Sequence, residues 1–139
     1  MKIRDLLRRK GNNVLTLAVT ATVADAVNVL RDHGIGCVVV TDSTGAIAGI
    51  VSERDISHAF GAVAAESPVS DLMTRDVRTC PPDEDVEALA ALMTDQRVRH
   101  VPVVENGRLS GLVSIGDVVK AHLDELRRER DHLVAYVQS

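Results

Sequence analysis

The chain repeats itself, and nothing else in the sequence restricts its fold as much. Residues 14–16, 23–30 and 35–40 correspond to residues 77–79, 86–93 and 98–103 at an offset of 63, and residues 49–55 correspond to 111–117 at an offset of 62. The clearest identities are Gly49, Val51, Ser52 and Asp55 with Gly111, Val113, Ser114 and Asp117. The basic start, residues 1–10, would pass alone for a targeting peptide. Its Ile3-Arg4-Asp5-Leu6-Leu7 reads like Val69-Ser70-Asp71-Leu72-Met73, so it is expected to be part of the fold. Glu66-Ser67-Pro68 separates the copies, giving repeat one at 1–66 and repeat two at 67–139. Half of a 139-residue chain buries too little core to be stable alone, so the halves must pack together. Two similar units joined by a short linker most simply meet about a pseudo-two-fold axis, which creates two related clefts.

Each copy reads β-α-β-β-α, a mixed α/β (α+β) pattern. Short extended segments are expected at 14–17 and 77–80, the second stopped by Pro81-Pro82, which lack the N–H a ladder needs. A helix follows in each copy. Val23, Ala26, Val27 and Leu30 recur at helical spacing behind the capping pair Thr22 and Asp25, and Gly34 is placed for the stop. Val86, Leu89, Ala90 and Met93 repeat the face, with Asp83, Glu84 and Asp85 at the positive helix end. The β-branched runs 36–41 and 47–51 flank turn residues and predict a hairpin, repeated at 99–104 and 109–113. The second helix of each copy starts at Ser52 or Ser114. After Asp117 it continues with Val119, Leu123, Leu126, Arg130, Leu133 and Val137 at alternating four- and three-residue steps. This stripe packs either on the chain's own core or on another subunit.

Several function classes are disfavoured. A net charge of -4 offers no overall basic field for nucleic acid, and with aromatic residues at 1% there are almost no stacking surfaces for bases. Cys37 and Cys80 form no CxxC pair and fit a reducing, cytoplasmic setting. No apolar run approaches the ~18 residues of a membrane span. The histidines have no ligand-like spacing, no phosphate-loop motif is present, and no nucleophile stands beside a base, so neither metal chemistry nor catalysis is expected.

The sharpest feature is Gly-apolar-apolar-Ser-x-x-Asp at a strand-to-helix junction, once in each copy. Amide groups of a helix's first turn attract an anion, the serine adds a donor, and the aspartate can accept from vicinal hydroxyls, a set suited to ribose and phosphate. Alternatively, Ser52 with Asp55 and Ser114 with Asp117 are capping boxes. The recurrence of the whole septad, and an aspartate shorter than the usual glutamate, favour the ligand. The copies differ in charge: Arg54 stands opposite Gly116, and Arg99-His100 opposite Gly36-Cys37. Arginine forks onto phosphate oxygens and histidine can donate to them, although each is also an ordinary surface or strand residue.

The tandem units, Thr79-Cys80-Pro81 before a helix, Arg99-His100-Val101-Pro102-Val103 and the doubled septad resemble a pair of cystathionine-β-synthase (CBS) domains, a Bateman module. The resemblance covers nearly the whole chain. It implies a regulatory, non-enzymatic module that binds an adenosine ligand, AMP first and ATP, ADP, NAD or S-adenosylmethionine as alternatives, to sense energy or redox state. It further implies a homodimer and a separate effector protein. Carried over by position, Asp55 and Asp117 would hold ribose hydroxyls, and Ser52 and Ser114 would meet phosphate. Thr16 and Thr79 would line the adenine pocket with Ile35-Gly36-Cys37 or Val98-Arg99-His100. Pro81 and Pro102 belong to the same motifs, and copy one lacks both prolines and the Arg-His pair, so its cleft is expected to differ. The competing expectation is a ligand-free dimerisation scaffold.

Overall fold

A computed structural model of the chain describes residues 1–11 and 13–139. Helix α1 (Ile3–Lys10) precedes strand β1 (Thr16–Ala18), helix α2 (Val23–His33), strands β2 (Cys37–Thr41) and β3 (Ile47–Ser52), and helix α3 (Glu53–Ala59). A single 3₁₀ turn, Val69–Asp71, leads to helix α4 (Val86–Gln96), strands β4 (His100–Glu105) and β5 (Arg108–Ser114), and the long helix α5 (Ile115–Gln138). β1 lies parallel to β2, with Thr16 opposite Val39, and β2 is antiparallel to β3, with Val38 opposite Val51. β4 and β5 form the equivalent hairpin, with Val101 opposite Val113. Its turn uses Asn106 and Gly107 at φ 53° and 76°, the left-handed pair a two-residue hairpin loop needs.

The expected entering strand at 77–80 is reduced to one bridge. The Cys80 amide donates to Pro102 O (3.1 Å) and the Val104 amide to Cys80 O (3.0 Å). Pro81 and Pro82 have no N–H with which to extend it. In copy one the strand lies slightly later than expected, at Thr16–Ala18.

Packing crosses between the sequence halves in both directions. Ile3, Leu6 and Leu7 of α1 are buried with Val86, Leu89, Met93, Val101, Val103 and Val113 of the second copy. Val69 and Met73 instead join Ala26, Leu30, Val38, Val40 and Val51 of the first. Each crossing segment is tied to the start of the opposite helix: Ile3 N to Glu84 O (2.9 Å) and Val86 N to Met1 O (3.0 Å), matched by Val69 N to Ala21 O (2.7 Å) and Val23 N to Ser67 O (2.9 Å). The glycine of each septad marks where the crossing segment lies on the strand. A Cβ on Gly49 would sit 2.7 Å from Thr74 O, and one on Gly111 would sit 2.7 Å from Leu7 Cδ2. Both glycines therefore make room for packing.

α2 begins with Thr22 accepting from the Asp25 amide (3.1 Å) and ends with Gly34 at φ 61°. α4 ends on the same backbone geometry at Arg97, φ 54°, where a side chain must tolerate a left-handed conformation. No helix among the described residues is long and apolar enough to cross a membrane.

Candidate functional site

Two cavities lie where the halves meet. The larger, ≈ 880 Å³, is lined by Gly36, Ser52, Arg54, Asp55, Thr74, Val77, Arg78, Arg97, Arg99 and His100 among others. The smaller, ≈ 290 Å³, is lined by Lys10, Val14, Leu15, Ile35, Gly36, Cys37, His100, Leu112 and Ser114 among others. Gly36 and His100 line both. A Cβ on Gly36 would lie 3.9 Å from the imidazole Cε1 and Nε2, so His100 forms the wall between the clefts.

At the larger cleft, Ser52 Oγ accepts from the Asp55 amide (3.2 Å), while Asp55 Oδ2 accepts from the Ser52 amide (2.9 Å) and hydroxyl (3.0 Å). The other oxygen, Oδ1, accepts from Thr74 Oγ1 (3.0 Å), a hydroxyl delivered by the crossing segment. At the second junction Ser114 Oγ accepts from the Asp117 amide (3.1 Å) and Asp117 Oδ2 from the Ser114 amide (2.8 Å). Both capping boxes are complete, so the short aspartate does reach back and the length argument against capping does not hold. The first helical amides are also committed: Glu53 N donates to Gly36 O (3.0 Å) and Ile115 N to Arg99 O (2.8 Å). Capping does not exhaust the carboxylates, because each oxygen has two lone pairs.

The two aspartates are held differently. Lys10 Nζ, at the end of α1, donates to Asp117 Oδ2 (2.5 Å) and Leu112 O (2.6 Å). Partial burial pushes the Asp117 pKa up, but the bonds from Lys10 and Ser114 outweigh it and leave the carboxyl below its ordinary range. Asp117 opens onto an adjoining hollow shared with Lys10 and Lys120 and does not line the second cleft itself. His100 is held below its ordinary value, first by burial and then by the Lys10 charge, which favours neutral imidazole. The Cys37 thiol is pushed up to about 12, first by burial and then by Asp55, so it is an inert wall.

Of the residues singled out in the sequence, Gly36, Ser52, Arg54, Asp55, Arg99 and His100 meet in the larger cleft. Ile35, Gly36, Cys37, His100 and Ser114 meet in the smaller. Thr16 and Thr79 are exposed outside both linings, and the entering segments reach the clefts two residues earlier, through Val14 and Val77. Pro81 is exposed beside the Cys80 bridge, and Pro102 is buried opposite Leu112 in the hairpin. The sequence reading missed Lys10, Thr74, Arg78 and Arg97. Only Arg97 left a signal: it replaces Gly34 of the other copy.

The family model described as "CBS domain" matches twice, at residues 3–62 and 69–124. A mitochondrial CBS domain-containing protein of Arabidopsis thaliana is 37% identical across 98% of this chain and 71% of its own length. The crystal structure of a CBS-domain-containing protein from Agrobacterium tumefaciens superposes with TM-score 0.82 at 44% identity, covering 88% of this chain and 99% of that one. The CBS domain pair of protein MJ0100, crystallised with 5′-methylthioadenosine and S-adenosyl-L-methionine, superposes with TM-score 0.81 at 25% identity over 90% and 98% of the two chains.

Proposed function

Since this chain belongs to the CBS domain family, as a tandem pair, we propose that it is a regulatory module that binds an adenosine-containing ligand in its larger cleft and signals occupancy to a separate effector protein. One observation carries the reading: Asp55, whose Oδ1 keeps one lone pair with which to accept a ribose hydroxyl, lines the same cavity as Arg54, Arg99 and His100, which can meet phosphate. Asp55 and Arg54 come from one half and Arg99 and His100 from the other. A bound nucleotide therefore bridges the halves and favours whichever arrangement of them it contacts best. The crystallised relative with two adenosine-containing ligands supports the ligand class, with AMP, ATP and NAD as candidates. The module's output is a conformational shift driven by the ligand's differential affinity for the two arrangements. Two buried, unpaired cysteines suit a reducing, cytoplasmic setting.

Thermal unfolding of the wild type and Asp55→Ala against AMP, ADP, ATP, NAD and S-adenosylmethionine tests the reading. A ligand at ~100 times its Kd adds about 2.7 kcal/mol, a rise of several degrees in Tm. The rise should vanish in Asp55→Ala. If millimolar concentrations shift nothing, the alternative holds: a ligand-free dimerisation scaffold whose Ser-Asp pairs are only caps. The complete capping boxes favour that second reading. Both readings use a homodimer through α5, whose Val119, Leu123, Leu126, Leu133 and Val137 are 45–80% exposed at heptad-like steps.

A further inference from the structure

Arg97 occupies a backbone site that its own side chain disfavours. α2 and α4 end alike: Ile35 N donates to Leu30 O (3.1 Å) and Val98 N to Met93 O (3.0 Å), with the intervening residue left-handed at φ 61° in Gly34 and φ 54° in Arg97. Glycine does this without a Cβ penalty, and the first copy uses it. The arginine is exposed, so packing does not hold it there. Among the described residues it makes neither an ion pair nor a side-chain hydrogen bond, and the same is true of Arg54, Arg78 and Arg99. All four line the larger cleft. Three carboxylates share that lining, Glu53, Asp55 and Asp76, and Asp55 is already engaged by the cap and Thr74. The smaller cleft has one cationic chain, Lys10, committed to Asp117.

From this we infer that the larger cleft is built for a chain of two or more phosphates and that Arg97 is a specificity-determining residue, kept in a strained position because its guanidinium reads the distal phosphates. The inference deepens the proposed adenosine reading and rests on it. One phosphate can occupy one or two guanidinium forks, whereas four unpaired guanidinium groups around an ≈ 880 Å³ cavity match the charge and length of a di- or triphosphate. A nucleoside di- or triphosphate, or a dinucleotide with a bridging diphosphate, therefore ranks ahead of AMP.

The test is calorimetric titration of the wild type, Arg97→Gly and Arg97→Asn with AMP, ADP, ATP, NAD and inorganic tripolyphosphate, alongside Tm without ligand. The wild type should bind ATP at least roughly tenfold more tightly than AMP. Arg97→Gly should reduce ATP affinity by roughly tenfold and AMP affinity by less than about threefold, while raising the unliganded Tm by roughly 2–4 °C through relief of the backbone. Arg97→Asn, which tolerates the left-handed region, should lose the same ATP preference. Equal AMP and ATP affinities in the wild type, or an unchanged ATP-to-AMP ratio in both variants, overturns the role of Arg97 and leaves the adenosine reading standing. Binding of tripolyphosphate as tight as ATP overturns the adenosine reading, and no binding by any probe overturns both.

Discussion

An alanine at position 49 would place a methyl carbon 2.7 Å from the carbonyl oxygen of Thr74 and 2.8 Å from the Met73 sulfur. Ordinary contact begins at 3.4 Å, so the methyl intrudes by 0.7 Å on a backbone atom that cannot rotate away. That carbonyl is held by the Ile50 amide at 2.9 Å, and Thr74 N returns a bond to Ile50 O at 2.8 Å. Overpacking a site of this kind costs about 1–3 kcal/mol, and stretching the paired bonds adds about 1 kcal/mol. Gly49→Ala should therefore destabilise the protein by about 2–4 kcal/mol, lowering Tm by roughly 6–12 °C. Gly111→Ala is the matched control. Its methyl also approaches to 2.7 Å, but its neighbours are side-chain carbons of Leu7, which can change rotamer. A loss of about 1 kcal/mol is expected there. Urea unfolding of both variants measures the difference. Because Thr74 also donates to Asp55, Gly49→Ala should in addition weaken any ligand bound at the larger cleft, and Gly111→Ala should not. A Gly49→Ala protein within about 0.5 kcal/mol of the wild type, or one more stable than Gly111→Ala, would show that the crossing segment is not held against the strand as described.

Lys10→Met should release Asp117, costing less than about 1 kcal/mol in urea unfolding because both side chains are partly exposed, and should leave ligand affinity at the larger cleft unchanged, since neither residue lines it. A loss above about 2 kcal/mol, or a changed affinity, would show that the pair does more than tie α1 to the start of α5. Stability should also depend on pH through His100. Its folded pKa lies below the 6.5 of the free side chain, so as pH falls through 6.5 the unfolded chain binds the proton first and stability drops until the folded imidazole itself protonates. His100→Gln should flatten that slope in pH-dependent urea unfolding. Asp117, whose folded pKa is depressed, contributes at neutral pH and loses its contribution as pH falls below about 3.9 and through its folded pKa.

Most of the fold was legible in the sequence because the signals are local. The alternation and β-branching of the hairpins, the Thr22-Asp25 cap with Gly34 at the other end of α2, and the repeated septad each depend on residues a few positions apart, and the structure has them where periodicity puts them. The entering strand of copy two was misread for a physical reason. Its residue pattern allows extension, but pairing needs a continuous run of N–H groups, and Pro81-Pro82 end that run after Cys80. At the larger cleft the motif residues Ser52, Arg54 and Asp55 were visible, as were Arg99 and His100, because each belongs to a motif that recurs or breaks the repeat.

Thr74 against Asp55 and Lys10 against Asp117 could not be read, since these partners are 19 and 107 residues apart and belong to no shared period. They meet because α1 packs on the core of the second half and residues 69–73 on that of the first. Which core receives a given apolar face is decided by shape and close approach, here at Gly49 and Gly111. A one-dimensional pattern specifies that Ile3, Leu7, Val69 and Met73 must be buried, but not in which core. The sequence by itself determined the repeat, the family and the identity of the polar groups at each helix start. The tertiary structure alone decided that one aspartate is engaged by a hydroxyl and the other by an ammonium, and therefore that two similar motifs line dissimilar clefts.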